Sequence, residues 1–495
     1  MAKKIIIIGA GPGGLTAGMI LAKKGFDVEI FEKEPQVGGR NAAIRMGEYT
    51  FDTGPTFLMM NFVLDEVFKM AGKDVKDYIE QIKLDPMYRL KFSDIEVLPT
   101  SNHEKMKQVI AKLFPGNENG YQKFLDKEKV RYDKMYPCLK ADYSSLRSLF
   151  SKNLMKAIPY LGLGKSIFQS LGSYFKQEKL KLSFTFQSKY LGMSAWECPA
   201  AFSIIPYIEH EFGIFHVKGG LNAISGAMSK VFVENGGKLH LNSKVENMII
   251  EGKTAKGVEL AGGQRIFADE VIINSDFAYS MTNITNNKVP KYSKEKLDKM
   301  KYSCSTFMLY LGIDKLYNIP HHNVFFADKY RQNIEDIFNL GKLSDDMSFY
   351  VQNASIMDPT LAPKGHSTIY VLVPVPNQSF SIDWEKEKAI YEEKVIAAIE
   401  SRTELKDIRS HIKVKKVITP NDWRDTYNVY KGATFNLAHN IGQMLYLRPR
   451  NKFEGLKNCY LVGGGTHPGS GLPTIYESGR ISSQMIIKKY GDKTA

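Results

Sequence analysis

Gly9, Gly11 and Gly14 stand in the spacing G-x-G-x-x-G, and Glu32 follows twenty-three residues after the first of them. This is the spacing of a dinucleotide fingerprint, in which each glycine has its own task. Gly9 permits a tight turn, Gly11 lets a pyrophosphate approach the backbone, and Gly14 lets a helix pack close to a strand. An acid at Glu32 accepts hydrogen bonds from ribose hydroxyls and repels a 2′-phosphate, which excludes an NADP-type nucleotide. Gly38, Gly39 and Arg40 follow soon after and bring flexible backbone and a cation back toward the same pyrophosphate. A plain nicotinamide site does not need that extension. Groups that could move a proton are less distinct. His210, His216 and Asp422 are candidates, but a lone histidine in an apolar stretch is more often a satisfied core residue than a catalyst, and the base stays unassigned.

The elements that must position these residues are legible. Ile5 to Ile8 form an unbroken apolar run, the pattern of a buried parallel strand. A helix is predicted from Leu15 to Lys24 and a second strand from Asp27 to Phe31, which Glu32 ends. The phosphates would then sit at a helix N-terminus, where free N–H groups and the dipole favour negative charge. The end of the chain repeats this order: a strand at Cys459 to Val462, a glycine turn from Gly463 to Gly471, and a helix from Leu472 to Lys488. Between the ends, Tyr49 to Thr56 reads as a strand closing in a tight turn, and Pro86 to Pro99 as a hairpin. Helices are predicted at 102–114 and 119–140. Trp196 to Phe215, apolar and broken by Pro199 and Pro206, suits helices lining a cavity. Val245 to Ile250, Gly257 to Leu260 and Val271 to Asp276 read as strands, as do Tyr302 to Gly312 and Thr368 to Pro374.

A chain of 495 residues exceeds one ordinary core, so two or three interleaved domains are expected. Its 28 Phe and 26 Tyr suit a long apolar cavity or simply a large core. The net charge of +14 admits nucleic acid, a membrane surface or an anionic substrate. No zinc spacing, stacking signature or basic arm supports nucleic acid. Four widely spaced cysteines fit a reduced cytosolic chain without disulfides or a metal cluster. The basic, isoleucine-rich start is not a signal peptide, because glycines interrupt it too early. No apolar run reaches the roughly 18 residues of a spanning helix. Residues 144–194 stand apart: Arg147, Lys152, Lys156, Lys165, Lys176, Lys179, Lys181 and Lys189 face only Glu178, with apolar residues between them. Such a segment either lies in the headgroup plane of an anionic membrane or turns its apolar face inward as a solvated helical subdomain. Gly162 to Ser166 superficially matches a phosphate loop, but Pro159 stands where the first glycine is required.

Gly9-Ala10-Gly11-Pro12-Gly13-Gly14, the acid, Gly38-Gly39-Arg40 and Phe51-Asp52-Thr53-Gly54-Pro55-Thr56, in this order, resemble the FAD-binding half of the bacterial and fungal type of phytoene desaturase. That family belongs to a flavoprotein group that includes the amine oxidases. His321-His322-Asn323-Val324, Thr419-Pro420-Asn421-Asp422, Gly432-Ala433-Thr434-Phe435, Arg448-Pro449 and Thr466-His467-Pro468-Gly469 extend the resemblance over essentially the whole length. It implies an α/β fold with a Rossmann-like FAD domain assembled from 1–85, 216–290 and 441–495. An α+β substrate domain would come from 86–140 and 291–440, and a helical, membrane-associating or lid region from 141–215. The implied cofactor is non-covalent FAD on Gly9, Ala10, Gly11, Pro12, Gly13, Gly14, Glu32, Lys33, Gly38, Gly39, Arg40, Gly54, Pro55, Thr56, Val245, Asn274, Gly464, Gly465, Leu472 and Pro473, with no metal. Amine-oxidase relatives carry an acid where this chain has Gly465, so backbone N–H groups must carry more of the contact. The implied activity is desaturation of phytoene or its diapo relative, a long polyene hydrocarbon, by hydride transfer to the flavin. Quinone or oxygen would reoxidise it, because only one complete acid-plus-glycine fingerprint is present. A hydrocarbon substrate that lives in the bilayer favours a peripheral protein on the inner face of the cell membrane, held through 144–194. The alternatives are an oxidase of carotenoid terminal methyl groups, a polyene isomerase or saturase, and a non-enzymatic prenyl-lipid carrier on the same fold.

Overall fold

The computed structural model describes residues 2–492. At its centre is a parallel sheet of five strands, in the order Cys459–Leu461, Glu270–Ile273, Lys4–Ile8 (β1), Asp27–Phe31 (β2) and Lys238–His240. Ile5 to Ile8 are buried, as a central parallel strand covered on both faces requires. Three of the five strands lie more than 200 residues from β1 in sequence. The last is decisive for function, since Val462 donates to the Ile273 carbonyl at 3.0 Å and carries the second glycine turn to the first. Helix Pro12–Lys23 (α1) packs along the C-terminal helix Leu472–Tyr490. The two approach so closely that a Cβ on Gly479 would stand 2.6 Å from the Gly13 carbonyl oxygen.

A second, seven-stranded sheet runs Ile412–Ile418, Ser305–Ile313, Ser367–Val375, Phe349–Asn353, His322–Phe325, Arg89–Lys91 and Glu96–Val97. All its pairings are antiparallel except that of His322–Phe325 with Arg89–Lys91. Two tyrosines fasten this sheet to the nucleotide region: Tyr310 Oη donates to the Thr53 carbonyl at 2.5 Å and Tyr370 Oη to the Gly54 carbonyl at 2.8 Å. Tyr49–Asp52 is a strand, and the turn after it is thereby held between the two sheets.

Helices occupy His103–Leu113 and Glu118–Leu139. Residues 144–194 do not form one amphipathic helix. They break into short pieces at Lys152–Ala157, Ile167–Leu171 and Glu178–Ser183, joined by 3₁₀ turns. Leu154, Ile167, Leu171 and Phe175 are buried, whereas Leu146, Phe150 and Leu163 are 61%, 78% and 60% exposed. The basic residues divide as well. Lys179 pairs with Asp94, Lys181 lies over the Phe168 ring, and Lys189 faces an internal cavity instead of the surface. No helix among the described residues is long and apolar enough to cross a membrane.

Candidate functional site

Two cavities meet at the carboxyl end of the parallel sheet. The first, about 470 Å³, is a cleft lined by both glycine turns. Gly9, Gly11, Pro12, Gly13, Glu32, Lys33, Gly38, Gly39, Arg40, Pro55, Val245, Asn274, Gly464, Gly465 and Leu472 all face it. Asn274 ties its floor together, donating through Nδ2 to the carbonyls of Gly9 at 2.8 Å and Gly11 at 3.3 Å. Ala10 and Gly14 do not line the cleft. The Ala10 amide instead donates to Glu32 Oε2 at 2.8 Å, and a Cβ on Gly14 would stand 2.4 Å from the Gly9 carbonyl, so Gly14 is a packing requirement. Gly54, Thr56 and Pro473 lie on the second cavity.

The donor set of the cleft fits a flavin dinucleotide. α1 and the C-terminal helix both begin at a glycine, with no side-chain cap and no acid in the first turn. Their first N–H groups are therefore free for an anion, and Pro12 and Gly13 of one helix and Leu472 and Ile475 of the other reach the cleft. Glu32 lies at the opposite end, its oxygens held by the amides of Ala10 and Glu34. Burial raises its pKa, opposed by those two hydrogen bonds. Arg40 donates to the Thr434 carbonyl at 2.7 Å, and burial lowers its pKa against the opposing charge of Asp276. Gly465 leaves no room for an acid, because a Cβ there would lie 2.5 Å from Cβ of Phe277.

Arg448 explains how the second turn keeps its shape. It is buried with no carboxylate partner among the described residues and donates to the carbonyls of Leu437, Ala438, Gln443, Gly464 and Thr466. Burial brings it down to about 9. Its Arg-Pro string was visible in the sequence, but five carbonyls contributed by three loops were not.

The second cavity, about 270 Å³, shares Arg40, Pro55, Gly464, Leu472 and Ile475 with the cleft. Phe57, Phe186, Tyr190, Phe349, Tyr350, Tyr370, Trp423 and Phe435 form much of its wall, and no Asp or Glu lines it among the described residues. Lys189 is the amine that faces it; the ammonium lies over the Tyr330 ring at 4.8 Å, and burial lowers it to about 8. None of 196–215 lines this cavity, contrary to the expectation from its apolar composition. His210 is stacked on Phe184 and meets Tyr121 Oη at 3.1 Å, which makes it a core residue. His216 is paired with Asp358 at 2.9 Å, away from the cavity wall. Asp422 closes a capping box with Thr419 at the start of its own helix. The residues that do line the cavity, such as Lys189, Tyr190 and Tyr350, carried no sequence signal beyond being polar groups among aromatics.

The chain matches the flavin containing amine oxidoreductase family over residues 12–487. It is 54% identical to a 4,4′-diapophytoene desaturase (4,4′-diapolycopene-forming) of Methylomonas sp. over 489 residues, 99% of this chain and 96% of that protein. It is 35% identical to an all-trans-zeta-carotene desaturase of Myxococcus xanthus, over 99% of this chain and 94% of that protein. Among solved structures, an oxidoreductase from Methanosarcina mazei superposes with a TM-score of 0.64 at 17% identity, covering 98% of this chain and 100% of the other. Two glycine turns around one cleft, with an apolar chamber against it, are thus found in a chain that belongs to the flavin containing amine oxidoreductases and, within them, to the carotenoid desaturases.

Proposed function

We propose that the protein desaturates a C30 polyene hydrocarbon of the 4,4′-diapophytoene type, with non-covalently bound FAD. The observation that carries this reading is the apolar cavity sharing a wall with the dinucleotide cleft while presenting no carboxylate. An amine substrate would call for an anionic partner there, whereas a hydrocarbon needs contact area and exclusion of water. The share of sequence in common with the Methylomonas protein supports the C30 chain length. When bound, the flavin supplies the acceptor for a hydride from an allylic C–H, the step that side chains cannot provide.

The chain's own residues do the rest. The uncapped helix starts at Pro12 and Leu472 and the Arg40 guanidinium would hold the pyrophosphate, and Glu32 would take the ribose. Phe57, Phe349 and Trp423 exclude water and hold the polyene against the shared wall. A quinone or oxygen would serve as the electron acceptor for the bound flavin. Exposed Leu146, Phe150 and Leu163, interspersed with Arg147, Lys152 and Lys156, support docking of the protein on the inner face of an anionic membrane, where the substrate resides.

Carotenoid extraction after co-expression with a C30 or a C40 synthase tests this reading. A red-shifted polyene is expected with the C30 synthase. A terminal aldehyde, or unchanged C30 precursor beside a purified protein that is colourless, would reject it in favour of the oxidase or the carrier.

A further inference from the structure

Three histidines from distant parts of the chain meet behind the apolar cavity, joined to its wall through Tyr350 and Phe57. His216 lies on the strand Phe215–Val217, and His321 and His322 lie at the start of His322–Phe325. Their rings form a row, His216 to His321 at 4.7 Å and His321 to His322 at 4.2 Å between centroids. All three are buried, yet His216 Nδ1, both ring nitrogens of His321 and His322 Nε2 have no hydrogen-bond partner. An unsatisfied buried polar atom costs about 1–3 kcal/mol, so four at one place call for polar partners between the rings.

Both ends of the row are connected. His322 Nδ1 meets Tyr350 Oη at 2.6 Å, and Tyr350 donates to Thr56 Oγ1 at 3.0 Å. Tyr350 and Thr56 line the apolar cavity, and Phe57 stacks on His322 and holds its ring. A hydroxyl proton rotates, so Tyr350 also offers its proton to His322 Nδ1, and outward transfer takes place in that arrangement, with Nδ1 bare and the His322 proton on Nε2. At the other end His216 Nε2 meets Asp358 Oδ2 at 2.9 Å. Asp358 also accepts from the amides of Gly219 and Thr360, and Thr360 is exposed. Burial alone would raise the Asp358 pKa; its hydrogen bonds, that from His216 first, hold it well below the carboxylate range. A metal does not account for the group, because among the described residues no three His, Cys, Asp or Glu side chains are placed to hold one.

We propose that Tyr350, His322, His321, His216 and Asp358 form the path by which a proton leaves the apolar cavity for solvent. The inference rests on the desaturase reading. Each double bond formed breaks two C–H bonds: one hydrogen leaves as hydride with two electrons to the flavin, and the other leaves as a proton. The cavity holds no carboxylate to receive that proton, and Lys189, which lines it, has no hydrogen-bonded route outward among the described residues. A hydroxyl accepts a proton and releases its own, and a neutral imidazole accepts on one ring nitrogen and releases from the other, ending in its second tautomer, which must reset before the next transfer. Burial holds the His321 pKa well below the ordinary histidine range and keeps the ring neutral, the form that can do so. The rings make no direct hydrogen bond with one another, so the proposed path includes a bridging water at each step between them.

Two measurements test the path. In the first, the FAD-loaded protein and its His321→Ala variant are mixed anaerobically with 4,4′-diapophytoene, and flavin bleaching is followed in the first turnover in H₂O and D₂O. The variant is expected to bleach about 10²-fold more slowly at unchanged FAD content, with millimolar imidazole restoring part of the rate. Bleaching at the wild-type rate and wild-type solvent isotope effect, or a slow rate that imidazole leaves unchanged, would overturn the path. The second needs neither cofactor nor variant: nitrogen NMR of histidine-labelled protein reads exchange of the His321 and His322 ring protons with solvent. Rapid exchange despite burial is expected, and protection for hours would exclude a route to the surface. If the wild-type protein fails to bleach while exchange is rapid, the substrate reading fails and the path stands.

Discussion

Glu209 sits on helix Ile204–Phe212 with no exposed surface and no cation beside it among the described residues. Tyr88 Oη and Gln187 Nε2 donate to its Oε2 at 2.9 and 2.7 Å, while Oε1 has no partner. Burial raises its pKa to about 7, and the hydrogen bonds from Gln187 and Tyr88 limit that rise. A carboxyl whose folded pKa is raised binds its proton more tightly in the folded state than in the unfolded one. Its contribution is fully present below the unfolded value and fades as pH climbs from there through 7, a change of about 3 kcal/mol. Glu209→Gln keeps an acceptor for both donors without the titration. The variant is expected to gain stability over wild type between pH 5 and pH 8, read as urea midpoints at the two pH values; an unchanged gap would refute the buried titration. Nothing about Glu209 in the sequence distinguishes it from the exposed Glu211 two residues on, because burial is decided by which face of the helix meets Tyr88.

The contact between α1 and the C-terminal helix sets the distance between the two glycine turns. Gly479 is its tightest point, since an added Cβ would meet the Gly13 carbonyl at 2.6 Å and Thr16 Cβ at 2.7 Å. Neither atom is the free end of a flexible side chain, so a larger residue must push the helices apart. Overpacking of this kind costs about 1–3 kcal/mol. Because the strain opens the cleft, Gly479→Val is expected to weaken FAD binding by about tenfold or more, each factor of ten being about 1.4 kcal/mol. Flavin fluorescence during reconstitution of apoprotein measures this, and an unaltered affinity would mean that the turns are positioned by the sheet alone. The helices themselves were legible from their apolar spacing, and so was the glycine turn before each. Their mutual contact was not, because a glycine in mid-helix reads only as a weak position.

Across the whole molecule, charge and exposed apolar surface coincide on the segment 146–163. Gly162 is set against Ala200, and Phe202 meets the His439 ring edge-on at 5.9 Å, so this surface adjoins the loop carrying exposed Ile441 and Leu447. The two components of the proposed membrane binding are expected to separate. Lys152→Gln with Lys156→Gln removes about 1 kcal/mol per cation, roughly 30-fold in all, from binding to phosphatidylglycerol vesicles at low salt. Phe150→Ser with Leu163→Ser is expected to weaken binding at high salt as well, where charges are screened. Co-sedimentation at two salt concentrations distinguishes them, and full binding by all variants would show that the exposed residues serve another contact. Composition drew attention to this region, but the tertiary structure redistributed it, turning Lys189 inward and pairing Lys179 with Asp94.

By itself the sequence determined the cofactor end of the protein. Gly9, Gly11, Gly14, Glu32, Gly39 and Arg40 act through local backbone geometry, which spacing along the chain encodes directly. The family strings at both ends made the dinucleotide a flavin and the substrate a carotenoid. What only the tertiary structure decided is how polar groups are grouped away from those turns. His216 and His321 are more than a hundred residues apart, and each resembles an ordinary buried histidine. Pairing of Ile82 with His216 and of His322 with Gln352 brings them into one row. Strand pairing between distant segments selects neighbours through whole-sheet register and core packing, and no single residue type or spacing in the chain records that choice.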